Sequence, residues 1–160
     1  VVDRLELEAG RYAVVTLHRP SNVDSAERLL ACVRGLERFA LERELHLVWP
    51  MHPRISDALG LEYPWKPIEA LGSFDFQCLL ASAAIAITDS GGVQEEACVL
   101  GVPCITLRAN TERPETVECG ANVLCPDPLE LDAASDRLSS SWTNPLGDGH
   151  ASERIVALLS

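Results

Sequence analysis

Residues 83–97 read AAIAITDSGGVQEEA, an apolar run followed by a serine, two glycines and two glutamates. The run 83–87 is short and continuously apolar, which predicts a buried strand. Residues 91–100 predict a helix that ends at a glycine. The Ser-Gly-Gly of residues 90–92 therefore lies where a strand passes into a helix, and the amide groups of such a junction can face an anion. Taken alone, these residues also fit a tight turn capped by serine or aspartate.

The rest of the chain alternates short apolar runs with helical patterns. Strands are predicted at 11–17, 45–50, 67–71, 83–88, 103–107 and 121–125. Helices are predicted at 24–42, 53–59, 73–82, 91–100, 113–119, 128–139 and 150–159, the first capped by Asp24 or Ser25. This order predicts an α/β fold, a Rossmann-like, doubly wound parallel sheet with right-handed crossovers. The 160 residues suit one such domain.

Polar residues follow the predicted ends of several strands. They are His18, His52, Ser90, Arg108 and Arg113. Ligands of doubly wound sheets bind beyond the carboxyl ends of the strands, so we expect these side chains to converge on one edge. Guanidinium groups and helix amides both match phosphate oxygens. The pattern therefore predicts a phosphate-binding crevice at that edge.

Composition narrows the class of partner. With 24 acidic residues against 13 basic ones, the net charge of −11 argues against a nucleic-acid partner, which needs a positive face. No apolar run approaches the roughly 20 residues that span a bilayer, so no membrane contact is expected. The opening residues, VVDR, do not form a signal peptide. We expect a domain cut from a longer, cytoplasmic protein.

The six cysteines lack the CxxC spacing of zinc and thioredoxin-type sites. They are Cys32, Cys78, Cys98, Cys104, Cys119 and Cys125. Most of them lie inside apolar runs, which predicts buried, reduced thiols and no metal.

Four blocks of sequence carry a family resemblance. They are TLHRPSNV at 16–23, PMHP at 50–53, TDSGGVQEE at 88–96 and TERPE at 111–115. In order and spacing they resemble the C-terminal half of the non-hydrolysing UDP-N-acetylglucosamine 2-epimerases. The closing NPLGDG at 144–149 is similar to the lead-in to that family's last helix, so the resemblance covers nearly the whole chain.

The resemblance implies a two-domain glycosyltransferase-B architecture, of which residues 1–160 are the second, nucleotide-binding half. It implies interconversion of UDP-N-acetylglucosamine and its manno epimer, by elimination of UDP to a glycal and re-addition, without a cofactor. The implied partners are a UDP-sugar, the absent N-terminal domain and a second copy in a homodimer. Because the family's acid–base carboxylates belong to the absent domain, we expect this chain to bind UDP weakly and not to epimerise. The apolar side of its last helix should be partly exposed.

The resemblance also implies roles for individual residues. His18 matches a histidine near the diphosphate that affects catalysis, and Arg19 matches a position tied to a second, regulatory nucleotide-sugar site. The implied substrate-binding residues are His52, Phe76, Ser90, Gly91, Gly92, Glu96 and Arg113. Ser21 departs from the family, where a glutamate often follows the His-Arg pair.

Each of these roles has a plainer alternative. Arg113 could be a surface arginine paired with Glu115, and Glu96 a solvated helix carboxylate. Phe76 could be a core aromatic of its own helix. Asp89 is interpreted as orienting the 88–92 turn through a side-chain bond, not as a catalytic base.

Three other functions remain open from the sequence. A hydrolysing epimerase would release UDP and free N-acetylmannosamine from the same domain. A glycosyltransferase would share the architecture, although transferases rarely carry both the TERPE and the His-Arg blocks. A non-catalytic nucleotide-sugar binding module would never meet an N-terminal half.

Overall fold

The computed structural model describes residues 1–51 and 67–159 of the chain. Its strands are β1 Tyr12–Thr16, β2 His46–Met51, β3 Pro67–Glu69, β4 Ile85–Thr88, β5 Cys104–Thr106 and β6 Asn122–Leu124. Its helices are α1 Pro20–Val23, α2 Ala26–Glu42, α3 Ser73–Ala81, α4 Gly91–Leu100, α5 Pro114–Glu118, α6 Leu131–Ser135 and α7 Ala151–Leu159. Short 3-10 turns cover Asp3–Leu5 and Pro128–Glu130. The helix predicted at 53–59 and the site residue His52 lie outside the described residues.

The strands form one parallel sheet in the order β3-β2-β1-β4-β5-β6. The chain first moves outward from β1 to β3, then returns to place β4 beside β1 and moves outward the other way. This confirms the predicted Rossmann-like, doubly wound fold. The strand order reverses between β1 and β4, so a ligand crevice is expected at the carboxyl ends of these two strands.

Helices cover both faces of the sheet because the strands are apolar on both faces. On one face, alternate strand residues such as Val15, Trp49 and Ile87 pack with the buried side of α2 and with α6. On the other face, Tyr12, Val14 and Ala86 pack with α3 and α4. The Tyr12 hydroxyl donates to the Leu79 carbonyl oxygen at 2.6 Å, which satisfies the polar end of a fully buried ring.

Among the described residues, the helices follow the predicted ranges with one error and one addition. Ser25 is the N-cap of α2 and accepts from the Arg28 amide, as one of the two predicted caps. The helix predicted at 128–139 is wrong in extent: it is the turn Pro128–Glu130 followed by the short α6. Asp127 caps that turn through the Leu129 amide. The extra helix α1, which begins with Pro20, was not predicted.

The last helix, α7, leaves all nine of its residues exposed, including Ile155, Val156, Leu158 and Leu159. This confirms that its apolar side is uncovered in this chain. Within residues 1–51 and 67–159, no helix combines the length and the hydropathy that crossing a membrane requires.

Candidate functional site

Asp89 joins the ends of the two central strands. Its side chain is fully buried, and its two carboxylate oxygens accept the backbone amides of His18 and Arg19 at 3.0–3.2 Å. The amide nitrogen of buried Asn22 donates to the same carboxylate at 3.1 Å and to the Leu107 carbonyl oxygen at 3.0 Å. A carboxylate with several donors is a strong, charge-assisted anchor. The segment after β1 is therefore held against the segment after β4.

The predicted role of Asp89 in its own turn is wrong, because its side chain is directed at the neighbouring strand end instead. The local bond is made by Thr88, whose hydroxyl accepts the Ser90 amide at 3.0 Å. That hydroxyl also lies 2.6 Å from the Thr16 hydroxyl across the β1–β4 pair.

The His18 ring is oriented by the same carboxylate. Its Nδ1 lies 2.9 Å from Asp89 Oδ1, while 62% of its side chain is exposed. A carboxylate accepts, so Nδ1 carries the hydrogen in this contact and Nε2 is the nitrogen left for a ligand. Buried support of an exposed imidazole is the arrangement that positions a histidine for chemistry.

Glu112 forms ion pairs with two arginines at the edge of the crevice. Arg108, whose side chain is 9% exposed, binds both of its carboxylate oxygens, at 2.7 and 2.8 Å. Arg19 donates to Glu112 at 3.3 Å and, through Nε, to the Asp89 carbonyl oxygen at 3.0 Å. The hydrogen bonds from Arg108 lower the pKa of Glu112 to about 2. Arg19 thus belongs to the same crevice as His18, and its regulatory role stays a prediction.

The glycine turn opens α4 without a side-chain cap. Ser90 is the N-cap residue, yet its hydroxyl makes no capping hydrogen bond. Gly91 and Gly92 have no left-handed backbone. A Cβ at Gly91 would meet only Glu112 at 3.8 Å, and one at Gly92 only the Ser90 hydroxyl at 3.9 Å. The surrounding protein would allow larger residues at both positions. Because glycine has no side chain, the first amides of α4 stay open to an anion.

Arg113 stands at the start of α5 and faces α4. Its Nε lies 2.6 Å from Glu95 Oε1, an ion pair without an aligned hydrogen bond. One terminal nitrogen donates to the Glu112 carbonyl oxygen at 3.0 Å. The arginine is therefore paired with Glu95, and the alternative pairing with Glu115 is wrong. The guanidinium has five N–H groups, so donors remain for a phosphate.

A buried polar network connects the glycine turn with the arginine loop. Gln94 is fully buried and donates to the Ser90 carbonyl oxygen at 3.2 Å. Its Oε1 accepts the Thr111 hydroxyl at 2.5 Å and the Asn122 amide at 3.2 Å. The Thr111 hydroxyl in turn accepts the Arg113 backbone amide at 3.0 Å. The relative position of the turn and of Arg113 is thus set by side chains, not by adjacent backbone.

Two further predicted residues lie on the helices around the crevice. Glu96 is half-buried in α4, and burial, with the nearby Glu95 charge, raises its pKa. Phe76 lies in the first turn of α3, partly buried against the apolar cluster of that face, as its core alternative proposed. Its role in substrate binding stays a prediction.

The described residues of the predicted crevice are brought together as expected. His18, Ser90, Arg108 and Arg113 are linked through Asp89, Glu112 and Gln94. Sequence reasoning missed the roles of Glu112 and Asn22, although both lie in the quoted blocks. Residues 108–112 form a loop without a helical period, so their spacing gave no signal for that pair.

A separate cavity of about 770 Å³ lies near the opposite, amino end of β2. It is lined by the first 3-10 turn, the second half of α2 and residues such as His46 and Ile68. None of the crevice residues lines it, so it plays no part in the site at the carboxyl ends.

Comparison with known proteins shows the family of this chain. A family profile described as UDP-N-acetylglucosamine 2-epimerase matches residues 2–160. The UDP-N-acetylglucosamine 2-epimerase of Methanocaldococcus jannaschii is 44% identical over 93% of this chain, which spans 44% of that protein. A Pseudomonas aeruginosa protein, UDP-2,3-diacetamido-2,3-dideoxy-D-glucuronate 2-epimerase, is 36% identical over 93% of this chain and 44% of its own.

A solved structure agrees in fold as well. The M. jannaschii UDP-GlcNAc 2-epimerase in complex with UDP-GlcNAc and UDP superposes with a TM-score of 0.81 and 42% identity, over 92% of this chain and 44% of that one. The sheet order, with its reversal between β1 and β4, defines a Rossmann-like α/β protein. The chain belongs to the UDP-N-acetylglucosamine 2-epimerase family, and it spans less than half the length of the relatives named here.

Proposed function

We propose that this chain is the C-terminal, UDP-binding half of a UDP-N-acetylglucosamine 2-epimerase. The observation that carries the proposal is the convergence of an uncapped glycine turn, an oriented histidine and Arg113 at the β1–β4 switch point. Each element supplies hydrogen-bond donors at one crevice. A diphosphate has enough oxygen atoms to accept hydrogen bonds from several donors at separate strand ends.

In this proposal the first amides of α4 and the Ser90 hydroxyl hold the phosphate oxygens. Arg113 adds a positive charge with fixed direction, because the Gln94–Thr111 contact sets the position of its backbone. Glu96 accepts hydrogen bonds from the ribose hydroxyls. His52 and Phe76 are proposed to contact the nucleotide as well.

The chemistry assigned to this half is stabilisation of the leaving group. When the bond between the sugar and UDP breaks, negative charge grows on the diphosphate, and fixed donors aimed at that charge lower the barrier. His18, held through Nδ1 by Asp89, directs Nε2 to the departing phosphate as a proton or charge partner. The same groups hold UDP in place for its re-addition to the glycal.

Removal of the sugar C2 proton requires acid–base groups that we assign to an N-terminal half. That half would face the crevice from the other side, and the chain alone would bind UDP without epimerising. The names of the two relatives differ in the sugar of the substrate and share the UDP part. This supports a division in which the present half holds UDP and the other half selects and processes the sugar.

The proposal is tested by calorimetric titration of the chain with UDP, UMP and ADP. We expect UDP to bind more tightly than UMP, because the second phosphate meets the α4 amides and Arg113. The Arg113→Ala variant should lose roughly ten- to hundredfold in UDP affinity, as for a charge-assisted contact of about 1.5–3 kcal/mol. Arg34, exposed on α2, provides a control variant with the same change of charge.

Equal affinity of the wild-type and Arg113→Ala chains for UDP would contradict the assignment of the diphosphate to this crevice. Epimerisation by the chain alone would contradict the assignment of proton transfer to the other half. If a complementary N-terminal half restores turnover in trans, analysis of the product then separates UDP-linked N-acetylmannosamine from the free sugar of a hydrolysing enzyme.

A further inference from the structure

Two thiols from neighbouring helices are in contact behind the candidate site. Cys98 Sγ, in the last turn of α4, lies 3.9 Å from Cys119 Sγ, at the end of α5. Cys98 is fully buried, whereas Cys119 is half-buried and within reach of solvent. The two thiols are 21 residues apart in sequence, and neither belongs to the crevice.

The surroundings give the two thiols different chemical roles. Burial, followed by the contact with Cys119, raises the pKa of Cys98 to about 11. The Cys119 thiol donates to the Thr116 carbonyl oxygen at 3.4 Å, so its sulfur is held in place beside Cys98. The thiolate is the reactive form and exposure gives access, which makes Cys119 the thiol that meets an oxidant first.

We propose that Cys98 and Cys119 form a reversible oxidation site that closes to a disulfide in the presence of a peroxide. Their sulfur atoms already touch, so the bond of about 2.05 Å needs a shift of side chains by roughly 2 Å. A small oxidant suits a half-buried thiol. The product is a covalent link between α4 and α5.

The proposed reaction balances with hydrogen peroxide as the oxidant. The Cys119 thiolate attacks one peroxide oxygen, the O–O bond breaks, and a sulfenic acid and hydroxide are formed. Cys98 sulfur then attacks Cys119 sulfur, the S–O bond breaks, and the Cys98 proton leaves with the oxygen as water. In sum, two thiols and one peroxide give one disulfide and two waters. A dithiol reductant reverses the link by exchange.

The link would act on the helices that begin at the crevice. The helix α4 starts with the glycine turn, and α5 starts directly after Arg113. A bond between their far ends would close the loop between them and limit the separation of the two helices. Oxidation should therefore raise the melting temperature of the chain, and reduction should return it to its starting value.

The proposal is tested on the wild-type chain without any variant. The folded chain is treated with hydrogen peroxide, its remaining thiols are alkylated, and it is digested without reduction. Cleavage after Arg108 separates the two cysteines. Fragment ions distinguish Cys98 from Cys78 and Cys104 on the first peptide, and Cys119 from Cys125 on the second. We expect a linked pair through Cys98 and Cys119, lighter by two hydrogen atoms than the separate peptides and absent after reduction.

Two variants sharpen the result. Cys119→Ser should abolish both the linked pair and the rise in melting temperature, while Cys78→Ser should keep both, because Cys78 is an exposed thiol on α3. The proposal is overturned if wild-type Cys119 is recovered as an alkylated thiol, as a sulfinic or sulfonic acid, or linked to any cysteine other than Cys98.

Discussion

A side-chain carbon at Gly91 would not clash with any other part of the protein that the structure describes. Its Cβ position is 3.8 Å from the nearest protein atom, and its backbone is not left-handed. We expect Gly91→Ala to leave the free energy of unfolding unchanged or slightly higher, since alanine favours a helix by up to about 1 kcal/mol. The added methyl group would occupy the space assigned to phosphate, so UDP affinity should fall by about tenfold or more.

Gly120→Ala serves as the opposite control for that experiment. Gly120 has a φ of +83°, and a Cβ there would overlap the Ser139 side chain. This variant should lose stability before it loses any ligand contact. If Gly91→Ala binds UDP as tightly as the wild type, the glycine turn does not hold the diphosphate.

The lowered pKa of Glu112 predicts how the free energy of unfolding depends on pH. Hydrogen bonds from Arg108 hold its pKa at about 2, below the roughly 4.3 of a free glutamate. A lowered pKa means that the stabilisation is fully present above the unfolded value and is lost as the pH falls through about 2. We expect Glu112→Gln to be less stable than the wild type by a constant margin near neutral pH.

That margin should shrink as the pH is lowered towards about 2, where the wild-type carboxylate is also protonated. Denaturant unfolding at a series of pH values measures it. A difference that stays constant down to the lowest pH would show that the ion pair with Arg108 does not account for the effect of the substitution.

Sequence reasoning placed candidate residues at strand ends correctly, because the ends of apolar strands can be located from the sequence. His18 and Ser90 each follow an apolar run, and parallel strands bring their ends to one edge. The partners of these residues were not readable. Asp89 contacts His18 across 71 positions, and its neighbours in sequence carry no sign that its carboxylate leaves its own turn.

The attachment of helix α4 to its neighbours depends on the buried side-chain amide of Gln94. Gln94 satisfies groups from three segments, namely Ser90, Thr111 and Asn122. Replacement by methionine keeps the approximate shape and removes all three side-chain hydrogen bonds. We expect Gln94→Met to cost about 1–3 kcal/mol of unfolding free energy, because buried polar partners are left unsatisfied.

Gln77→Met is the matched control, since Gln77 is exposed on α3 and should change stability by less than about 0.5 kcal/mol. Chemical denaturation of both variants measures the difference. Equal midpoints for the two variants would show that the buried network contributes nothing to the attachment of α4.

The bounds of a helix or strand were predictable where its pattern of apolar residues was strong. The 17-residue α2 and the strand β4 were placed within two residues, because a long apolar stripe and a continuous apolar run are strong signals. The segment 128–139 was misjudged because Pro128 and the Asp127 cap favour a 3-10 turn before the short α6. The four-residue α1 has no periodic signal of its own.

At the scale of the whole chain, the apolar side chains of α7 are exposed and do not contribute to the core. All nine of its residues are exposed, and Leu158 and Leu159 are more than 80% exposed. We expect a chain that ends at Gly149 to keep its unfolding free energy within about 0.5 kcal/mol, because the change affects only exposed groups. It should also associate less at high concentration, since an exposed apolar face is removed.

Denaturant unfolding and light scattering measure these two effects. A loss of several kcal/mol on truncation would show that α7 supports the sheet and is not dispensable for folding. The sequence predicted the apolar face of this helix, and the structure shows that face exposed.

The contact between Asp89 and the segment after β1 also determines when the crevice can form during folding. The crevice cannot exist until β4 has paired with β1, which closes a loop of about 70 residues. During synthesis, residues 12–19 leave the ribosome long before their partners, and they must wait for residue 89. The proposed nucleotide binding would therefore require the finished central sheet, and bound UDP would mark nascent chains in which the longest-range strand pairing is complete.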